Sequence, residues 1–249
     1  MTPVSQNPRR AALVIGNNAY PNQALKNAVN DAQAVKSALS ELGVDVQMHL
    51  NVTMAQMEEA ASQFIGGLRP GDVAIFYYSG HGIQVGGENY LIPVDFDART
   101  AVDAKYKSYA ASRMQENLEA AGVSLQILIL DACRDNPFRN VRSAGAGLAP
   151  MQAGKGTYIA FATAPGNTAD DNSAGRNGLF TGAFIDALRE PGLSLNQVFN
   201  RVRGAVSAMR PEQVPWSTSS VVGEFYFHPG TSRPRSSPSG APQPFCRLI

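Results

Sequence analysis

Two side chains in this sequence have the type and setting for nucleophilic chemistry. His81 lies in YYSGHG, between Gly80 and Gly82, directly after the β-forming run DVAIFYY. Cys133 closes LQILILDAC, the strongest apolar run in the chain. Small residues and a lone histidine pack the end of a buried strand poorly, so a chemical role is weighed first. A thiol with a pKa of about 8.5 is mostly protonated at neutral pH. A neighbouring imidazole takes that proton and later returns one to a leaving amine. Gly80 and Gly82 would let a substrate backbone approach closely, and the N–H groups of Gly82 and Cys133 are the natural donors to an acyl oxyanion. Cys133 follows His81 by 52 residues, room for one helix and two strand ends. Alone, each residue has an inert reading, a turn histidine or a buried thiol that packs as a small hydrophobe. The pair carries the chemical reading.

The elements that must position the pair are legible as alternating periods. RAALVIG is a short apolar run ending at Gly16 and suits a buried parallel strand. From Asn27 to Leu42, Val29, Ala32, Val35 and Leu39 fall on one helical face, and Gly43 is the stop. VDVQMHL alternates as a strand, and TMAQMEEAASQFIGGL is a helix capped by Asn51 or Thr53. DVAIFYY is a third strand, and IQVGGENYLIP gives two arms of a hairpin around Gly86 and Gly87. Ser108 to Ala121 reads as helix, Leu125 to Leu130 and TYIAFATA as strands. GLFTGAFIDAL and LNQVFNRVRGAVSAMR read as helices, the second capped by Ser194, and a last strand is expected around GEFYFH. Such alternation predicts an α/β fold, a mostly parallel sheet covered by helices on both faces. Chemistry in such sheets sits at the C-terminal strand ends, where His81 and Cys133 both fall.

Composition bounds the rest. The chain has 249 residues, 44% of them hydrophobic, enough for one large α/β domain, and its formal net charge of +1 does not indicate a broad nucleic-acid surface. Two cysteines, Cys133 and Cys246, make no disulfide framework, which fits a reducing compartment. The apolar run Ala11–Ile15 is too short for a leader and no segment is long enough for a bilayer, so residence in the cytoplasm, off the membrane, is expected. Residues 136–156, rich in Gly, Ala and Arg, read as a long functional loop. Residues 229–249, rich in Pro, Ser and Gly, are expected to form a disordered tail. No Cys/His cluster has metal-ligand spacing, so no metal is expected. QAGKGTY fails as a phosphate loop, with Ala149 at the first glycine position and Gly156 after Lys155.

The paired motifs carry a resemblance. YYSGHG and ILDACRDNPF resemble, in order, the histidine and cysteine motifs of the caspase-like cysteine peptidases, closest to the bacterial relatives of metacaspases, the orthocaspase-like members. ALVIGNNAY, LKNAVNDA, YLIPVD, FATAPG and QVPW resemble further landmarks, so the resemblance spans residues 9–228 after an extension of residues 1–8. It implies a caspase-like sandwich: a mostly parallel six-stranded sheet, helices on both faces and a small β-hairpin. It implies an endopeptidase with His81 and Cys133 as the catalytic dyad and no required cofactor. The chain departs from metacaspases at Arg134-Asp135-Asn136, where they read His-Ser-Gly, and from animal caspases at Asp131, where they carry Gln. The calcium activation common among metacaspases is not indicated by the sequence.

Asp31 matches the acidic pocket position of metacaspases and Ser79 a hydroxyl lining the same pocket. Asp131, two residues before Cys133 in a strand, can point to the same end of the site. Two carboxylates and a hydroxyl suit a guanidinium, so protein or peptide substrates with a basic P1 residue are expected, Arg over Lys. Self-cleavage in the loop after Cys133 would suit Arg139, Arg142 or Lys155. Monomer and dimer remain open at this point. The competing readings are a silent caspase-like scaffold, disfavoured because both dyad residues are kept, and a nucleotide-binding protein, disfavoured because GNNAYP offers one glycine where a fingerprint needs three.

Overall fold

The computed structural model describes residues 8–21, 23–133, 144–145, 148–165 and 175–230. The expected tail beyond residue 230, residues 1–7 of the expected extension, and the candidate cut positions Arg139 and Arg142 lie outside these residues. The described elements, in chain order, are β1 (Arg10–Gly16), α1 (Ala28–Glu41), β2 (Asp45–Leu50), α2 (Met54–Gly66), β3 (Val73–Val85), β4 (Glu88–Leu91), α3 (Ala101–Tyr106), β5 (Tyr109–Ala110), α4 (Ala111–Ala120), β6 (Leu125–Cys133), β7 (Ala144–Gly145), β8 (Thr157–Phe161), α5 (Leu179–Arg189), α6 (Leu195–Met209) and β9 (Trp216–Ser219).

The main sheet runs β2-β1-β3-β6-β8-β9. Its first five strands are parallel and β9 is antiparallel at the edge. The apolar runs form these strands because both faces of the sheet are covered. On one face Val14, Ile75, Tyr77 and Ile129 pack with Val35 and Leu39 of α1, Phe184 of α5 and Val202 of α6. On the other, Ile15, Phe76, Tyr78 and Leu130 pack with Phe64 of α2 and Leu118 of α4. Thr53, not Asn51, caps α2, through a capping box with Gln56. Gly43 ends α1 at φ +75°, a conformation that favours glycine.

Two local readings are corrected. The helix predicted from Ser108 starts only at Ala111, because Tyr109 and Ala110 pair with β4. The last strand is β9, not GEFYFH, which contributes a single bridge between Tyr226 and Ser194. The alternating aromatics there close the helical layer instead: Phe227 is buried edge-on to Phe184 at 6.1 Å between ring centroids, and Phe225 packs edge-on to Phe227 at 5.1 Å.

Strand β3 positions the site because it belongs to two ladders. From Val73 to His81 it pairs in parallel with β6. From Gly82 it turns into the expected hairpin with β4, across Gly86 and Gly87 at φ +63° and +84°. His81 stands at the changeover. Among the described residues no helix is long and apolar enough to cross a membrane.

Candidate active site

The parallel register of β3 and β6 ends on the pair His81 and Cys133. Neighbouring strands lie about 4.8 Å apart, so the fold sets side by side two residues far apart in the chain. His81 is buried, and its Nε2 lies 2.7 Å from the carbonyl oxygen of Gln23. A carbonyl only accepts, so Nε2 carries the proton, and Nδ1 is the basic nitrogen of the neutral ring. The Tyr20 ring packs on the imidazole at 4.4 Å between centroids.

Gln23 and Tyr20 ride on the segment after β1, which asparagines tie in place. Asn51 Oδ1 accepts from the backbone N–H groups of Asn18 (2.8 Å) and Ala19 (3.0 Å), and Asn51 adopts φ +52°. Buried Asn17 donates to Ile92 O (3.1 Å) and accepts from Val52 N (3.0 Å). Asn18 Oδ1 accepts from Val29 N at the start of α1 (2.9 Å).

Two register steps before the His81 pair, Ser79 stands opposite Asp131. Asp31 of α1 reaches the same place. Its Oδ1 accepts from Asn177 Nδ2 (2.8 Å) and Gly178 N (3.0 Å), so it also caps α5, and its Oδ2 lies 3.5 Å from Ser79 Oγ. Asp131 Oδ2 accepts from Thr181 Oγ1 at 2.5 Å, and Thr181 Oγ1 lies 2.5 Å from Tyr77 Oη. Asp31, Ser79 and Asp131 are buried, with 2%, 4% and 8% of their surface exposed, so any partner must be charged or strongly polar. Burial, and then the charges of Asp131 and Asp31, push the Tyr77 phenol well above its ordinary value near 10, which keeps it a neutral donor.

The glycines flanking His81 are also required by packing. A Cβ at Gly80 would lie 2.5 Å from Tyr78 Oη and 2.7 Å from Tyr20 Oη. At Gly82 it would lie 3.0 Å from Ala132 Cβ and 3.1 Å from Leu148 Cδ2. The space a side chain would take at either position is filled by the protein's own side chains. The Gly82 amide keeps a suitable direction. Ile92 N donates to His81 O (3.0 Å), so the adjacent Gly82/Leu91 pair is the non-hydrogen-bonded one, whose N–H points away from β4.

Lys155 is not brought to the site. It is exposed in the turn before β8, at the N-terminal end of the parallel strands, whereas His81 and Cys133 close the C-terminal end. A groove of about 520 Å³ between α5 and α6 borders the site only through Asn177 and Gly178, the donors to Asp31. Among the described residues no cluster of three His, Cys, Asp or Glu residues has the arrangement to hold a metal ion.

Tyr20, Gln23 and Thr181 escaped the sequence reading as site residues. Thr181 left a signal, a hydroxyl on the otherwise apolar face of GLFTGAF. Gln23 left none, because it contributes only its carbonyl.

The caspase-domain family model matches residues 9–226. Human mucosa-associated lymphoid tissue lymphoma translocation protein 1 is 29% identical over 129 residues, 50% of this chain and 15% of that protein. Its mouse homologue matches over the same shares. A probable protease of a Desulfuromonadales bacterium is 26% identical over 217 residues, 73% of this chain and 26% of its own length. The chain therefore spans about a quarter or less of the curated relatives it matches. The family match runs from the residue before β1 to Tyr226, across every element that builds the site, and this chain belongs to the caspase-domain family of peptidases.

Proposed function

We propose that this protein is a cysteine endopeptidase that cleaves after Arg in preference to Lys. The observation that carries the reading is the β3/β6 register: His81 beside Cys133, and two steps behind them Ser79 and Asp131, with Asp31 laid against Ser79. His81 Nδ1 takes the thiol proton while Nε2–H stays on Gln23 O. The thiolate attacks the scissile carbonyl carbon, and the carbonyl π electrons move onto its oxygen, to which the N–H groups of Gly82 and Cys133 donate. The intermediate collapses, the C–N bond breaks and Nδ1–H protonates the departing amine. Water then attacks the thioester with His81 Nδ1 taking its proton, the C–S bond breaks, and Nδ1–H returns the proton to the departing Cys133 thiolate. Every step uses groups of the chain and water.

The two carboxylates supply the specificity. A guanidinium offers five donors in a rigid fork, an ammonium three at one point, so a pocket with two separated carboxylates and a hydroxyl favours Arg. One charge-assisted hydrogen bond is worth roughly 1.5–3 kcal/mol, enough for tenfold or more against a neutral side chain. Self-processing fits the same preference at Arg139 and Arg142, close in sequence to Cys133. A fluorogenic peptide panel differing only at P1 tests the reading. Arg should exceed Lys, Asp should not be cut, and Asp131→Ala should raise KM for the Arg peptide. Preferred cleavage after Asp, or indifference to Asp131→Ala, contradicts it.

A further inference from the structure

At the changeover of β3, one rung of the ladder is direct and the other is opened by a side chain. Ile92 N donates to His81 O at 3.0 Å. The reciprocal bond of such a pair would run from His81 N to Ile92 O. Instead His81 N donates to Tyr20 Oη (3.0 Å), and Tyr20 Oη donates to Ile92 O (3.0 Å). A second hydroxyl lies beside it. Tyr78 Oη donates to His81 O at 2.8 Å, lies 2.9 Å from Ile92 O, accepts from Ile92 N at 3.1 Å and stands 3.2 Å from Tyr20 Oη. Both tyrosines are buried, and the missing side chain of Gly80 makes the room they occupy.

We propose that the hydroxyls of Tyr20 and Tyr78 are positioning groups that set the place of the His81 imidazole by clamping its main chain. The inference rests on the reading of His81 as the base. Mere satisfaction of buried polar groups does not require a hydroxyl here, since His81 N and Ile92 O stand in register to bond each other. Inserting Tyr20 Oη holds that rung open, so the His81 peptide pivots about its one direct rung. The same Tyr20 ring lies against the imidazole, so one side chain fixes both the backbone and the ring. Burial, with Tyr20 beside it, keeps the Tyr78 phenol neutral at any working pH. Without the Tyr20 hydroxyl the rung relaxes toward a direct bond of about 2.9 Å, moving His81 by on the order of 1 Å. A misplacement of that size costs up to about 100-fold in rate.

The test compares Tyr20→Phe and Tyr78→Phe with Tyr158→Phe, which removes a buried tyrosine hydroxyl elsewhere in the fold. The readouts are kcat and KM on a P1-Arg peptide, and the imidazole resonances of the 249-residue chain, which has three histidines to assign. Tyr20→Phe should lower kcat roughly 10- to 100-fold with KM within about twofold, and should shift the His81 ring resonances and their titration midpoint. Tyr78→Phe should act in the same direction, and Tyr158→Phe should leave kcat and the His81 signals alone. Unchanged His81 resonances or unchanged kcat in both clamp variants overturn the proposal, whatever happens to the melting temperature. A wild-type protein that cleaves no peptide sinks the peptidase reading, and the His81 resonances alone then decide the clamp.

Discussion

Gly80→Ala is a one-carbon change with a large expected effect. The added Cβ would lie 2.5 Å from Tyr78 Oη, 2.7 Å from Tyr20 Oη and 2.8 Å from Tyr78 Cζ, where ordinary contact begins near 3.4 Å. The hydroxyls must retreat by about 0.9 and 0.7 Å. Neither ring has room, because Tyr78 and Tyr20 are 0% and 4% exposed. Overpacking of this kind costs about 1–3 kcal/mol. The retreat also strips a buried backbone donor or acceptor of its hydroxyl at His81 or Ile92, a further cost of about 1–3 kcal/mol. The expected loss is therefore about 2–6 kcal/mol, or roughly 4–24 °C in Tm for a domain of this size. Gly182→Ala is the matched control. Gly182 lies inside α5 with nothing within 4 Å of an added Cβ, so alanine there should stabilise by about 0.5–1 kcal/mol. Urea unfolding of the two variants, with peptide cleavage measured alongside, checks the sign and the size. A Gly80→Ala protein within about 0.5 kcal/mol of wild type and fully active would refute the packing argument.

Three further outcomes follow from the same contacts. Thr181→Val keeps the shape of the side chain but removes the donor to Asp131 and the partner of Tyr77, so stability should fall by about 1–3 kcal/mol in urea unfolding and KM for an Arg peptide should rise. The phenols of Tyr77 and Tyr78 are raised by burial, so the folded state keeps protons that the unfolded chain releases above pH 10. Stability is then complete below about pH 10 and falls above it, by up to about 1.4 kcal/mol per pH unit for each tyrosine, and Tyr77→Phe should flatten the slope measured by urea unfolding between pH 9 and 11. Lys155 lies at the far end of the strands from Cys133, so any cut there must occur between molecules. Its rate, followed on gels, should rise with protein concentration, and cleavage at a concentration-independent rate would contradict the placement.

The strands, and the placing of His81 and Cys133 at their C-terminal ends, were legible because strength of apolar pattern and burial coincide in DVAIFYY and LQILILDAC. The carboxylate cluster was legible in part. Asp131 could be placed from strand alternation, but the helical-face argument put Val29 inward, whereas Val29 is only half-buried and Asp31 is at 2% exposure. A buried carboxylate does not follow from an apolar pattern when its partners, Asn177 and Gly178, are 146 and 147 residues away. GEFYFH was misread because alternating aromatics suit a sheet edge and a cover over helices equally. The clamp on His81 was out of reach of sequence alone. Its hydroxyls come from two segments 58 residues apart, and the room they fill is visible only once Gly80 is in place.

The central claim is a Cys133 nucleophile activated by His81 in a pocket for Arg, and covalent capture tests it most directly. An Arg-containing peptidyl electrophile is incubated with wild type, Cys133→Ala and His81→Ala, and the adduct is located by mass spectrometry. The expected result is one adduct per wild-type chain, on Cys133, formed much more slowly in His81→Ala, absent in Cys133→Ala, and not formed by the Asp-containing analogue. An adduct on Cys246 alone, or labelling of Cys133 at the same rate with and without His81, would contradict the account.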